Sequence, residues 1–214
     1  MSASAHERLN AALADLPLVA ILRGLRPEDA EAVGGVLIEA GFRLIEVPLN
    51  SPEPFLSIER LARRFASAAV IGAGTVLEPA AVARLEAAGG ELVVMPHADT
   101  RVIGKAKKRG LACVPGIATP TEAFAALAAG ADGLKLFPAE ILPPRAVKAL
   151  LAVLPKGTRL LPVGGIEPSS MAAYVAAGAA GFGLGSALFK PGLEPAEIGD
   201  RAHAFVEAWQ ALKP

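Results

Sequence analysis

The stretch Ala128–Phe137, which reads AAGADGLKLF, decides the fold. Its alanine-rich start is typical of the end of an amphipathic helix, Gly130 is placed to stop that helix, and the apolar run that follows is typical of a strand. Related stretches occur at Ala87–Val94 (AAGGELVV) and Ala176–Gly185 (AAGAAGFGLG). This weak repeat predicts a chain built from successive helix–strand units.

Short apolar runs alternate with alanine-rich segments along the whole chain. Eight of these runs are candidate strands: Leu18–Leu22, Leu44–Val47, Ala69–Ile71, Leu92–Met95, Ala112–Val114, Leu134–Phe137, Leu160–Val163 and Phe182–Leu184. Eight units in 214 residues give about 27 residues each, which suits a short (β/α)8 barrel. A doubly wound open sheet is the alternative, but no GxGxxG motif follows the first strand. We therefore predict an α/β fold, a compact (β/α)8 TIM barrel, with residues 1–214 forming a single domain.

Capping signals indicate where the helices begin and end. Ser4 and Glu7 form the pattern of a capping box that opens a short N-terminal helix within residues 1–15. Thr119–Glu122 and Ser51-Pro52 each place a capping residue before a proline, which is favoured at the first helical position. Glycines at the predicted helix ends stand before the next strand: Gly41, Gly89, Gly110, Gly130 and Gly178.

The composition excludes several classes of protein. With 53% hydrophobic and 20% charged residues, the chain is not intrinsically disordered, and its 21 basic residues balance 21 acidic ones, so we expect no nucleic-acid partner. No apolar run reaches the ~20 residues of a membrane span, and the N-terminus lacks the pattern of a signal peptide. Cys113 is the only cysteine, which we interpret as a buried core residue. We expect a cytoplasmic protein without membrane contacts.

Two predicted strands carry a charge among apolar residues. Glu46 lies within Leu44–Val47 and Lys135 within Leu134–Phe137, and strand alternation turns both toward the barrel interior if their neighbours face the helices. Both stand near the C-terminal strand ends, where barrel active sites are built. One interpretation is a buried ion pair, although such pairs seldom add stability. The sharper interpretation makes Lys135 a Schiff-base nucleophile and Glu46 a general acid/base, because apolar surroundings lower the pKa of a lysine.

Other strand ends carry compatible groups. Arg23 closes the first strand and could clamp a carboxylate, or it could be an ordinary surface arginine. Thr75 follows Gly72–Gly74, where substrate could approach the backbone, but its hydroxyl could instead cap the next helix. Both interpretations remain open for each residue.

Glycine-containing loops follow the last two predicted strands. Gly164 and Gly165 come after the seventh strand, and Gly185 and Ser186 come after the eighth. In barrels of this type, these two loops often bind phosphate through backbone N–H groups and a helix N-terminus. The pattern predicts a phosphorylated ligand.

Metal chemistry has little support in the sequence. His6, His97 and His203 are scattered, and none forms an i, i+4 pair or a cluster with carboxylates. We expect neither a metal nor a cofactor. His97, after the fourth predicted strand, could touch a substrate or be an ordinary loop residue.

Five stretches of the chain, in order, resemble the family of 2-dehydro-3-deoxy-6-phosphogluconate and -galactonate (KDPG/KDPGal) aldolases. They are Ile21–Gly24 (ILRG), Ile45–Pro52 (IEVPLNSP), Ile71–Leu77 (IGAGTVL), Leu134–Pro138 (LKLFP) and Val163–Gly165 (VGG). The resemblance implies class I aldolases, which are metal-free and form an imine, on a compact barrel. It also implies a homotrimer and a phosphorylated 2-keto-3-deoxy sugar acid as the substrate.

The resemblance implies a role for each matching residue. Lys135 would form the imine with the C2 ketone and Glu46 would pass protons, giving pyruvate and glyceraldehyde 3-phosphate. Arg23 and Thr75 would hold the carboxylate of the pyruvate part. The phosphate would lie on Gly165, Gly185 and Ser186, with Phe137 as a pocket wall and Pro96, Val163 and Gly164 as further substrate-binding positions.

The two branches of this family act on substrates that are epimers at C4. The ILRG and PLNSP patterns and Val163 resemble the galactonate branch, whereas Met95-Pro96-His97 departs from it and resembles gluconate-type relatives. We expect the galactonate epimer, with the gluconate epimer or a dual specificity as the alternative. A barrel phosphosugar isomerase or epimerase and a noncatalytic phosphosugar-binding protein are the alternatives from other classes.

Overall fold

The structure, a computed structural model, describes residues 3–212 as an alternation of helices and parallel strands. The strands are β1 (Leu18–Ile21), β2 (Leu44–Pro48), β3 (Val70–Gly74), β4 (Leu92–Val94), β5 (Ala112–Val114), β6 (Gly116–Ile117), β7 (Leu134–Leu136), β8 (Leu160–Pro162) and β9 (Phe182–Leu184). The α-helices are α1 (Ala5–Asp15), α2 (Ala30–Glu39), α3 (Pro54–Phe65), α4 (Pro79–Ala87), α5 (Thr100–Lys108), α6 (Pro120–Ala128), α7 (Pro144–Leu151), α8 (Met171–Ala176) and α9 (Pro195–Gln210). Single-turn 3₁₀ helices, Pro27–Asp29 and Pro168–Ser170, precede α2 and α8.

The strands close into a ring of eight positions. Only Pro115 separates β5 from β6, and β5 pairs with β4 while β6 pairs with β7, so the two segments share the fifth position. Proline has no N–H to donate, so the ladder is interrupted there. A parallel bridge between Val163 and Gly183 joins the end of β8 to β9, and β9 pairs with β1. This closure confirms the predicted (β/α)8 barrel and excludes the open sheet.

Strand alternation divides the apolar side chains into two layers. Residues such as Ile45 and Val47 point outward and pack with the helices. The inward layer contains residues at the beginnings of the strands, including Leu44 and Leu92, together with Leu9 and Leu13 of α1. Helix α1 therefore closes the N-terminal end of the barrel, which leaves the C-terminal strand ends for a site.

The capping signals are correct at most helix boundaries. Ser4 with Glu7 and Thr119 with Glu122 form complete capping boxes. All five predicted terminating glycines have positive φ, between 74° and 103°. The start predicted at Ser51-Pro52 is wrong: α3 begins at Pro54, and the Ser51 hydroxyl instead accepts a hydrogen bond from the Gly24 N–H (2.9 Å).

Strand β3 extends further than the sequence predicts. The predicted strand ends at Ile71, whereas β3 runs on through Gly72 and Gly74. Glycine normally weakens a strand, but here the missing side chains leave room for close neighbours. A Cβ at Gly72 would overlap the backbone carbonyl of Leu92, and one at Gly74 would overlap the Glu46 carboxylate.

Across residues 3–212, the helices are all too short or too polar to cross a membrane.

Candidate active site

Strands β2 and β7 carry Glu46 and Lys135 into the barrel interior. Their neighbours Ile45, Leu134 and Leu136 belong to the outer layer, so alternation turns the two charged side chains inward. Glu46 is 1% exposed and Lys135 is 6% exposed. This is the orientation that the sequence pattern predicts.

Burial changes the protonation equilibrium of both groups. Loss of water contact raises the pKa of Glu46 to about 7, against the opposing effects of the Lys135 and Arg23 charges. Burial also lowers the pKa of Lys135, which the nearby Glu46 carboxylate partly offsets. A carboxyl group with a pKa near neutrality can both give and accept a proton, and a lysine with a lowered pKa is more often the free amine.

The Glu46 carboxylate is held in an incomplete polar environment. Its Oε2 atom is buried and has no hydrogen-bond partner. It makes no direct ion pair within 4.0 Å of Lys135, which argues against a purely structural pair. Gly74 of the neighbouring strand leaves the space that the carboxylate fills. A buried acceptor without a hydrogen-bond partner lowers the stability of the folded protein, and such an atom often has a functional role.

Lys135 links two cavities. Below it lies a small space of ≈ 20 Å³ among apolar interior side chains, and Glu46 also lines this space. Above it opens a cavity of ≈ 310 Å³ at the C-terminal end of the barrel. The Lys135 Nζ atom lies 4.5 Å from the centre of the Phe137 ring, so the ring contacts the amine where it enters the larger cavity. We call this larger space the main cavity.

The main cavity collects most of the predicted site residues. Arg23, Lys135, Phe137, Val163, Gly164, Gly165, Gly185 and Ser186 all line it. Backbone from the loops after β8 and β9 therefore faces the same space as the lysine amine. This arrangement can accommodate a ligand with a carbonyl group at one end and a phosphate at the other.

A hydrogen bond to Asn50 orients Arg23, which lines the main cavity. The Arg23 Nη1 atom donates to Asn50 Oδ1 at 2.6 Å, and the adjacent Gly24 and Ser51 are joined as well. The loop after β2 thus fixes the loop after β1. Sequence reasoning did not predict this role for Asn50 and Ser51, although their polar side chains directly after a buried strand are a usable signal.

Thr75, Pro96 and His97 are not brought to the main cavity. Thr75 lies with Asn50 at a separate cavity of ≈ 280 Å³, and His97 is exposed. Thr75 does not cap α4, whose N-cap is Glu78. Its φ of 54° is in the left-handed region, which is costly for a residue other than glycine and is concentrated at functional sites.

The remaining titratable candidates have structural roles. His6 Nδ1 lies 2.6 Å from Asp132 Oδ1, and Lys107 Nζ lies 2.7 Å from the other carboxylate oxygen of Asp132. Within the described part of the chain there is no group of three or more potential metal ligands. Cys113 is buried, and burial raises the pKa of its thiol to about 12, so it is a core residue as predicted.

Glu140 is a further residue of the main cavity that sequence reasoning did not identify. It follows β7 by four residues, and its side chain lies against Gly164 and Gly165. No local pattern in the sequence places a carboxylate from one loop over the glycines of another.

The fold and this site together define a class of protein. A family model of the KDPG and KHG aldolases matches residues 9–202. The chain belongs to this family, and it is a carbon–carbon lyase of the class I pyruvate aldolase type.

Individual relatives refine this assignment. A "probable 2-dehydro-3-deoxy-6-phosphogalactonate aldolase" of Rhizobium meliloti (strain 1021) is 50% identical over 196 residues, which cover 92% of each chain. A solved structure described as native KDPGal superposes with a TM-score of 0.91 at 45% identity, covering 92% of this chain and 96% of that one. The KDPG aldolase of Legionella pneumophila, solved with pyruvate captured as a covalent carbinolamine, superposes with a TM-score of 0.77 at 26% identity and covers 96% and 98% of the two chains.

Proposed function

We propose that this protein cleaves 2-dehydro-3-deoxy-6-phosphogalactonate to pyruvate and glyceraldehyde 3-phosphate through an imine on Lys135. The observation that carries the proposal is a buried amine in the lining of the main cavity, which also contains glycine-rich backbone, with a buried carboxylate in the small space beneath that amine. The carbinolamine described for the Legionella pneumophila relative supports a covalent step between pyruvate and a side chain.

The first half of the reaction forms the imine. The free amine of Lys135 attacks the C2 ketone to give a carbinolamine. Protonated Glu46 then gives its proton to the departing hydroxyl, which leaves as water, and a positively charged imine remains. The raised pKa of Glu46 suits this step because a large fraction of the group is protonated near neutral pH.

The second half breaks the carbon–carbon bond. The Glu46 carboxylate accepts the proton of the C4 hydroxyl, directly or through water, as the C3–C4 electron pair moves toward the imine. Glyceraldehyde 3-phosphate leaves, and an enamine remains on Lys135. Protonation of its C3 carbon and hydrolysis of the imine release pyruvate and restore the amine.

Binding groups hold the two ends of the substrate. Arg23, which lines the main cavity, donates to the carboxylate next to the ketone. Backbone N–H groups at Gly165, Gly185 and Ser186 bind the phosphate. Phe137 contacts the amine and forms a wall beside the reacting carbons.

Two further parts of the proposal concern the assembly of the protein and its location in the cell. We propose a homotrimer in the cytoplasm, following the resemblance to the family. Sedimentation equilibrium of the purified protein tests the assembly: a monomer at assay concentrations would contradict it.

Borohydride trapping tests the imine. The protein is reduced with borohydride in the presence of pyruvate, and the modified peptide is identified by mass spectrometry. Reductively attached pyruvate on Lys135 is the expected result. K190A is the matched control because Lys190 lines the same cavity, and it should keep the adduct, whereas K135A should lose it. Absence of an adduct in folded protein would contradict the proposal and favour a phosphosugar isomerase.

A separate comparison tests the C4 preference. Val163 lines the main cavity, and a valine before the glycine pair resembles the galactonate branch. We expect a higher kcat/KM for the galactonate epimer, and V163T should shift the ratio toward the gluconate epimer by about threefold to tenfold, the value of one hydrogen bond. If the wild type and V163T had the same ratio of kcat/KM for the two epimers, the preference would depend on a residue other than Val163.

A further inference from the structure

The Glu140 side chain covers the glycine pair after β8. A Cβ built at Gly164 would overlap the Glu140 carboxylate, and a Cβ at Gly165 would lie 2.9 Å from Glu140 Cγ. The Glu140 side chain therefore lies against both glycines, with its carboxylate nearest to Gly164 and its Cγ nearest to Gly165, and it lines the main cavity. Gly164 and Gly165 have φ values of 108° and 62°, so a side chain at either position would be strained as well.

The backbone that carries Glu140 is firmly anchored. The Ala139 N–H donates to the Val163 carbonyl (2.9 Å), and the Tyr174 hydroxyl donates to the carbonyls of Ala139 (3.0 Å) and Leu142 (3.3 Å). These bonds hold the turn after β7 against the end of β8. The carboxylate itself, by contrast, makes no hydrogen bond or ion pair with any residue from 3 to 212. The turn is held by its backbone, whereas no polar partner among the described residues holds the end of the side chain.

The position of this carboxylate is unexpected for a phosphate site. Backbone N–H groups at the glycine loops after β8 and β9 favour an anion, and under the proposed function that anion is the substrate phosphate. Glu140 brings a negative charge to the same backbone. Burial raises the pKa of the nearby Tyr174, and the negative charge of Glu140 adds to that rise. A carboxylate and a phosphate cannot occupy this space together without strong repulsion.

We infer that the Glu140 carboxylate and the phosphate of the ligand compete for the backbone of Gly164 and Gly165, so that Glu140 weakens phosphate binding and speeds release of the phosphorylated product. This inference rests on the proposed function, which assigns the phosphate to these loops. On binding, the side chain rotates away from the glycines while its anchored backbone stays in place. Glu140 thus sets the affinity for the phosphate, and it takes no part in the bond-breaking steps.

The size of the effect follows from the charges involved. A carboxylate and a phosphate dianion about 5 Å apart in a water-filled cavity repel each other enough to lower affinity by roughly tenfold. Salt screens such a repulsion, so the effect shrinks as ionic strength rises toward 1 M, where the Debye length is about 3 Å.

Inorganic phosphate is the probe for this competition. Its Kd is measured by calorimetry for the wild type, E140Q and E140A. Both variants should bind phosphate about tenfold more tightly at low salt, and the difference should shrink at high salt. E167Q is the matched control, because Glu167 lines the same cavity and is not among the atoms nearest to a Cβ at either glycine, and it should change the Kd by less than half as much.

The opposite result would overturn the inference. Weaker phosphate binding in E140Q, or no change in either variant, would mean that the carboxylate does not compete with the anion. The pyruvate adduct on Lys135 is recorded for each variant and should be unchanged, because pyruvate carries no phosphate. Loss of the adduct in the wild type would contradict the proposed function instead, while the phosphate titration would still report on Glu140.

Discussion

Replacing Gly74 by alanine tests how Glu46 is positioned. The three heavy atoms nearest to a Cβ at Gly74 all belong to the Glu46 carboxylate, and the φ of Gly74 is not positive, so the backbone accepts alanine. The carboxylate must therefore retreat by more than about 1 Å, and a displacement of that size lowers catalysis by about 100-fold. We expect G74A to reduce kcat by this factor with little change in KM.

The assay follows pyruvate release during cleavage by coupled oxidation of NADH. G35A is the matched control, since a Cβ at Gly35 in α2 meets nothing within 4 Å, and it should keep the wild-type kcat. In an E46A background the added methyl group of G74A has room, so it should cost little more. A G74A enzyme within about threefold of the wild-type kcat would refute the assignment of Glu46 as the group that moves protons.

Three further outcomes follow from the geometry. Burial raises the pKa of Glu46 to about 7 from 4.5, so the contribution of Glu46 to stability is complete below pH 4.5 and is lost as the pH rises through 7. E46Q should therefore be more stable than the wild type in thermal unfolding at about pH 8, by on the order of 2 kcal/mol, but not at acid pH. N50A, which removes the 2.6 Å partner of Arg23, should raise KM about threefold to tenfold in steady-state assays, and a matching loss of kcat would argue against a positioning role. D132N, which removes the carboxylate that accepts from Lys107, should lower the urea-unfolding free energy by about 2 kcal/mol without changing kcat, and unchanged stability would contradict a structural role.

The inward placement of the two buried charged residues could be predicted because it depends on local geometry. Strand alternation fixes which way Glu46 and Lys135 point once the strands are recognised, and glycine at a helix end fixes where each strand can begin. Neither inference needs knowledge of distant contacts. The predicted interior positions therefore agree with the structure.

The parts that the sequence did not predict depend on contacts between loops. Glu140 reaches Gly164 only because the turn after β7 is fastened to the end of β8, and no local pattern contains that information. Thr75 stands at the right strand end but belongs to a neighbouring cavity. The prediction ends β3 at Ile71 because glycine normally weakens a strand. The strand continues because Gly72 has no side chain, which lets the backbone of Leu92 approach closely.

Closure of the barrel base by α1 has a kinetic consequence. Leu9 and Leu13 fill the end opposite the main cavity, beneath Glu46 and Lys135, so the described chain offers ligands a route through the main cavity. In the proposed reaction, the three-carbon keto acid stays tethered at the bottom while the aldehyde fragment lies between it and the exit. The aldehyde must therefore depart first and the keto acid last, so product release is ordered. In the synthetic direction, the same geometry makes the keto acid the obligatory leading substrate.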